Sequence, residues 1–189
     1  MHRRHFVLGA LGALLVDDVL AQAGRMRGAV LINGQPATSG QAVRAGDTVA
    51  TGPASDLVFV TGRDALLVRQ NSTLALAEDG FRLVTGAVLG VFAPGQRKEL
   101  RTRTATIGIR GTAVYLEAEP TRTYVCTCYG ETVLEPADDP KAGETVRPAQ
   151  RHGEPRYLTP RGSPRMVAPA PMLNHVDAEI ELLQKLLPK

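Results

Sequence analysis

The chain has 189 residues, no tryptophan and only 4% aromatic residues, so a core for one domain has to be assembled from Val, Leu, Ile and Ala. The formal net charge is +3, but the basic residues are scattered and do not interleave with aromatics, which argues against nucleic-acid binding. There is no Gly-x-Ser-x-Gly, no His-Glu-x-x-His and no phosphate-binding loop, so an enzyme is not expected.

The N-terminus reads as an export signal. Arg3 and Arg4 form a twin-arginine region, residues 6–16 are apolar, and Ala21-Gln-Ala23 is an A-x-A-type cleavage site. Residues 1–23 are therefore predicted to direct the chain to the periplasm and to be cleaved near Ala23. Asp17 and Asp18 lie where charge is unusual for a signal, and the competing reading is an uncleaved, buried N-terminal helix. The apolar stretch is too short to cross a bilayer, and nothing after it is long and apolar enough to do so.

Short apolar runs of strand length follow at 28–32, 56–60, 65–68, 74–76, 87–92, 113–116 and 124–128. Turn signals separate them, the sharpest being Asn33-Gly34 and Asp79-Gly80, which favour tight hairpins. Strand and turn alternate every ten residues or so, and no segment here has helical periodicity. The prediction is all-β: a sandwich, barrel or roll.

The most distinctive run is Thr104-Ala-Thr-Ile-Gly-Ile-Arg-Gly-Thr112. Gly108 and Gly111, three apart and followed by Thr112, suggest a bend or bulge between strands. Arg110 inside that bend carries a planar fork suited to carbonyl groups of neighbouring turns, a structural role preferred here over capture of an anionic ligand. Asp47, in Gly46-Asp-Thr48, is read as turn chemistry, its carboxylate bonding nearby backbone amides.

This run resembles the "T-x-x-A-x-x-G-x-R-G-T" core of FecR-like domains, bacterial periplasmic domains named after the ferric-citrate signalling regulator. The resemblance extends over residues 28–134, with the pieces in the right order. Gly28-Ala-Val-Leu-Ile-Asn-Gly34 looks like the family's opening strand and turn, and Ala45-Gly-Asp-Thr-Val-Ala-Thr-Gly52 like its "G-D-x-V-x-T-G" signature. Asn71-Ser-Thr-Leu74 and Leu83-Val-Thr-Gly-Ala-Val-Leu89 resemble the middle of the domain. The resemblance implies a β-helix-like roll of stacked turns; the residues alone leave a jelly-roll-like sandwich equally open. It also implies a binding or sensing module that contacts a periplasmic or envelope protein. Many such regulators act through a membrane helix and a cytoplasmic sigma-factor-binding segment. Neither is read in this chain, so that signalling role is not carried over.

After Glu135 the composition shifts. Asp138 and Asp139 sit in a proline-flanked turn and read as solvated loop. Pro155, Pro160, Pro164, Pro169 and Pro171 forbid a central strand or long helix, so 136–172 is predicted to be a belt packed on the domain, with one or two edge strands such as 156–158. Residues 173–189 carry a terminal helix over 174–187. Asn174 is its expected N-cap, Asp177, Glu179 and Glu181 crowd the first turns, and Val176, Ile180, Leu183 and Leu187 share one face.

Cys126 and Cys128 are the only cysteines, and on a strand both thiols project to one face. Three readings stay open. With Tyr124 they form an apolar, core-facing row. They form a disulfide, which the compartment allows but the spacing on an extended strand resists. Or they bind a metal with His152 and His175, the only histidines outside the signal segment, as the two-sulfur, two-imidazole set of zinc, copper or iron. The primary expectation is a non-catalytic FecR-like binding or sensing module; the alternative is a periplasmic metal-binding protein centred on these four residues.

Overall fold

Two β-sheets share one long, bent strand. The computed structural model describes residues 23–188; all but the last residue of the predicted export signal lies outside them. The chain opens with β1 (Ala23–Arg27), β2 (Val30–Ile32), β3 (Gln35–Pro36) and β4 (Thr48–Thr51). These are followed by β5 (Asp56–Thr61), β6 (Asp64–Val68), β7 (Thr73–Ala77) and the shared strand β8 (Gly80–Val91). Then come β9 (Arg97–Arg101), β10 (Ala105–Arg110), β11 (Ala113–Ala118), β12 (Thr123–Tyr129), β13 (Thr132–Pro136) and β14 (Glu144–Val146). The chain ends with β15 (Arg156–Leu158), β16 (Val167–Pro169) and the helix α1 (Asp177–Leu186).

The front sheet runs β1-β5-β6-β8-β11-β12-β15-β16 and the rear sheet β3-β2-β4-β7-β8-β9-β10-β13-β14. The amino half of β8 pairs with β7 and β9 in the rear sheet, and its carboxyl half with β6 and β11 in the front sheet. The crossing point is Gly86, with φ of 84°. A Cβ there would lie 2.5 Å from the Cα of Ser72 and 2.7 Å from the Asn71 carbonyl oxygen, so only glycine lets the strand bend this tightly. Every ladder is antiparallel except β8–β9. The all-β fold with a terminal helix is thus present, and ladder direction favours a two-layered sandwich over parallel stacked turns.

The main core lies between the sheets. Leu57, Leu66, Leu116 and Val125 of the front sheet meet Leu74, Leu83, Leu100, Ile107 and Leu134 of the rear one. At one end the Thr123 hydroxyl lies 2.6 Å from Thr102 and 2.7 Å from Thr104, joining the two layers. A second cluster covers the outer face of the front sheet. There Leu67, Leu89, Val91, Tyr115, Tyr124, Cys126 and Cys128 pack beneath Ile180 and Leu183 of α1. A ten-residue helix is marginal alone, so this packing holds it in place.

Three local expectations shift. Gly108 lies inside β10, opposite Val133 and Glu99, and the turn falls at Gly111, whose φ is 62°. Segment 156–158 is not an edge, since β15 pairs with β12 on one side and β16 on the other. Proline allows this because Pro155 and Pro160 flank the strand, and Pro169 falls on the outermost one. The helix N-cap is Val176 rather than Asn174. Asn174 takes a left-handed conformation, φ 55°, and donates its side-chain amide to Glu117 at 2.7 Å.

Replacing Gly86 by Ala is expected to destabilise the fold by more than the strain of a left-handed alanine, itself about 1–3 kcal/mol, because the methyl meets backbone. Gly62→Ala, at φ 57° with nothing within 4 Å of the added methyl, should cost only that strain. Denaturant unfolding of the two variants checks the difference; equal losses would show that the close approach at Gly86 is not needed.

Candidate metal centre

The site grows from the alternation of β12. Tyr124, Cys126 and Cys128 point to the outer face of the front sheet and Val125 to the inter-sheet core. β15 pairs with β12 only at Thr123, Tyr124 and Val125, leaving the later β12 backbone open to another segment. The backbone N–H of His152 takes that place, donating to the Cys128 carbonyl at 3.2 Å. His152 sits at φ 58°, a left-handed conformation that histidine tolerates better than most residues. His175 is delivered from the other direction by the left-handed turn at Asn174. It is 3% exposed and stacks on Tyr115 with ring centroids 4.3 Å apart.

The four groups predicted from sequence are brought together. Their ligand atoms all lie within 4.8 Å of one another. Cys126 Sγ is 3.6 Å from His152 Nδ1, Cys128 Sγ is 3.4 Å from His175 Nε2, and the two ring nitrogens are 3.0 Å apart. A tetrahedral ion with bonds of about 2.3 Å to sulfur and 2.0–2.1 Å to nitrogen sets its ligand atoms about 3.3–3.8 Å apart. Of the six edges, these two sulfur–nitrogen ones match and the nitrogen–nitrogen one is slightly tight. Both cysteines are free and fully buried, so the disulfide reading does not describe this structure.

The groups around the site orient both imidazoles. His175 Nδ1 donates to the Leu173 carbonyl at 2.5 Å, which leaves Nε2 as a bare lone pair facing the sulfurs. His152 Nε2 donates to Asp177 Oδ1 at 3.3 Å, which leaves Nδ1 bare. The Arg151 guanidinium, 2.8 Å from Asp177, holds that carboxyl below its usual range and keeps it an acceptor. Each bare nitrogen faces a cysteine sulfur, so the two are satisfied either by thiol protons or by a metal held among the four groups. The thiols differ in the same way. Cys126 is pulled down, first by the Cys128 thiol donating to it, with burial opposing. Cys128 is pushed up by its bond to Cys126 and by burial.

Sequence reasoning missed Asp177, Arg151 and Tyr115 as parts of the surround, and placed Tyr124 in the cysteine row without a task for its hydroxyl. Asp177 was read only as a helix-dipole carboxylate, although its position two residues after His175 was a usable signal. Tyr124 accepts the Leu173 backbone N–H at 3.1 Å and so fixes the carbonyl that orients His175. The remaining predicted residues lie elsewhere. Asp47 accepts the Arg44 N–H at 2.8 Å and the Asn33 side-chain amide at 2.7 Å. Thr112 donates to the Glu131 carbonyl at 3.0 Å. Arg110 is exposed at the end of β10, with no bond to a carbonyl group among the described residues.

Tyr124→Phe keeps the ring but orphans the Leu173 N–H. It should lower stability by about 1–3 kcal/mol with an unchanged denaturant slope, as read by urea unfolding.

No family model matches the chain, and no curated protein matches it. Among solved structures it is similar to a candidate anti-sigma factor from Parabacteroides distasonis, at 12% identity and a TM-score of 0.52, over 65% of this chain and 58% of that one. A second such protein from the same organism gives 14% identity and a TM-score of 0.39, over 75% of this chain and 59% of that one. This chain thus spans less than two thirds of either neighbour's length, and the first likeness is one of fold.

Proposed function

We propose that this chain is an exported, FecR-like regulatory module that holds one metal ion and works through contacts with another protein, without catalysis of its own. The observation that carries the metal reading is the convergence of Cys126, Cys128, His152 and His175, with both imidazoles turned lone pair inward. Two thiolates and two imidazoles gathered around one point are the donor set of tetrahedral zinc first, with copper and iron as the other ions of matching softness. All four ligands are protein groups, and three of them are buried, which is the pattern of a closed, structural-type site. The ion would tie together β12, the belt at His152 and the start of α1. The protein-contact role is supported by the likeness in fold to a candidate anti-sigma factor and by the motif resemblance to FecR-like domains.

The test uses the full chain, purified under reducing conditions and titrated with zinc and cobalt. The expected result is one ion per chain, with a sulfur-to-cobalt charge-transfer band. Zinc at a hundredfold excess over its Kd should add about 2.7 kcal/mol of stability. The joint variant Cys126→Ser with Cys128→Ser should lose both effects; a wild-type chain that takes up no metal, or a variant that takes up as much, would falsify the metal reading.

Asp177→Asn leaves all four ligands in place but weakens the acceptor that orients His152. Zinc affinity is expected to fall by about ten- to a hundredfold, measured by competition with a chelator.

A further inference from the structure

The glycine-arginine run that first marked the sequence lies on the rear sheet, in the layer opposite α1 and the metal centre, and the proposed function leaves it unused. Gly108 occupies the interior of β10 with an ordinary strand conformation, not a left-handed one. A Cβ there would meet Val133 at 3.6 Å and an Arg97 terminal nitrogen at 3.8 Å, both ordinary contacts. The fold therefore does not need glycine here. A strand glycine without a structural reason weakens the strand, and it marks places where a ligand or another backbone comes close.

The surroundings suit an anionic visitor. Gly108 lines an open groove of about 350 Å³ with Gly95, Arg97, Arg110, Glu131 and Val133. Arg97 and Arg110 face each other directly across β9 and β10, and both are exposed. Like charges directly opposite destabilise a sheet unless something neutralises them. Glu99, directly opposite Gly108, is paired with Arg101, and the carboxylate lining the groove, Glu131, is paired with Arg147. Neither Arg97 nor Arg110 forms an ion pair among the described residues.

We propose that the groove over Gly108, flanked by Arg97 and Arg110, docks a carboxylate-bearing segment of a partner protein. Two guanidinium forks match planar carboxylates bidentately. The bare glycine floor lets an extended backbone approach the sheet. Among the described residues no aromatic lines the groove, so nothing offers a stacking platform for nucleic-acid bases. Two arginines fall short of the larger basic cluster that a lipid surface needs.

The experiment is fluorescence anisotropy of the full chain with a short Asp- and Glu-rich peptide. Saturable binding that weakens with salt is expected. Gly108→Val, which fills the groove, and the joint change Arg97→Gln with Arg110→Gln should each reduce affinity by about tenfold or more. Gly108→Ala should keep or raise the wild-type melting temperature, and Arg82→Gln, elsewhere on the same face, should bind like wild type. Cys126→Ser with Cys128→Ser should leave peptide affinity unchanged, which separates this site from the metal centre. The proposal is overturned if the peptide does not saturate, if Gly108→Val binds equally well, or if inorganic phosphate or anionic lipid vesicles compete as strongly as the peptide.

Discussion

The outward row of β12 is the constraint on which the rest of this face depends. Side chains alternate along a strand, so Tyr124, Cys126 and Cys128 must share one face, and that face lies under the belt and α1. Each member of the row then recruits a segment from far away in sequence. Tyr124 takes the Leu173 N–H, the Cys128 carbonyl takes the His152 N–H, and the two sulfurs meet the imidazoles that these segments carry. A register slip of one residue would turn all three side chains into the inter-sheet core and leave the belt and helix without anchors.

The row is displayed only because the sheets are arranged around a bent β8. Gly86 lets one strand serve both layers, which closes the main core on one side of the front sheet and frees its other side for a second cluster. Along β12 the split is visible residue by residue: Val125 belongs to the first core, Tyr124 and Cys126 to the second. The helix contributes little by itself. Ile180 and Leu183 dock its apolar stripe, and Arg69, just past the end of β6, holds Glu179 and the Asn174 carbonyl at 2.8 and 3.1 Å. These contacts set the turn that turns His175 inward.

The two functional readings occupy different layers. The metal centre sits on the front sheet beneath α1, whereas the Gly108 groove opens on the rear sheet. The motif that suggested a family is thus not part of the cluster that suggests chemistry. Fold likeness to a candidate anti-sigma factor concerns the backbone alone, and both proposals rest on this chain's own side chains.

Alternation, turn residues and the terminal periodicity were enough to read an all-β chain with a C-terminal helix, because these are local signals. They also placed Cys126 and Cys128 on one face, and elimination named His152 and His175 as their only candidate partners. What local signals could not decide was distance. His152 and His175 lie 26 and 47 residues from the sulfurs they approach, and no spacing rule links them. Their approach depends on left-handed turns at His152 and Asn174 and on the stretch of β12 that β15 leaves open, all of which arise from packing. The helix start shows the same limit. Asn174 is a good N-cap by type, but Glu117 claims its side chain and the helix begins after Val176. Local chemistry determined which elements form and which groups are available; the tertiary fold decided which of them meet, because only closure of the sheets brings distant segments within bonding reach.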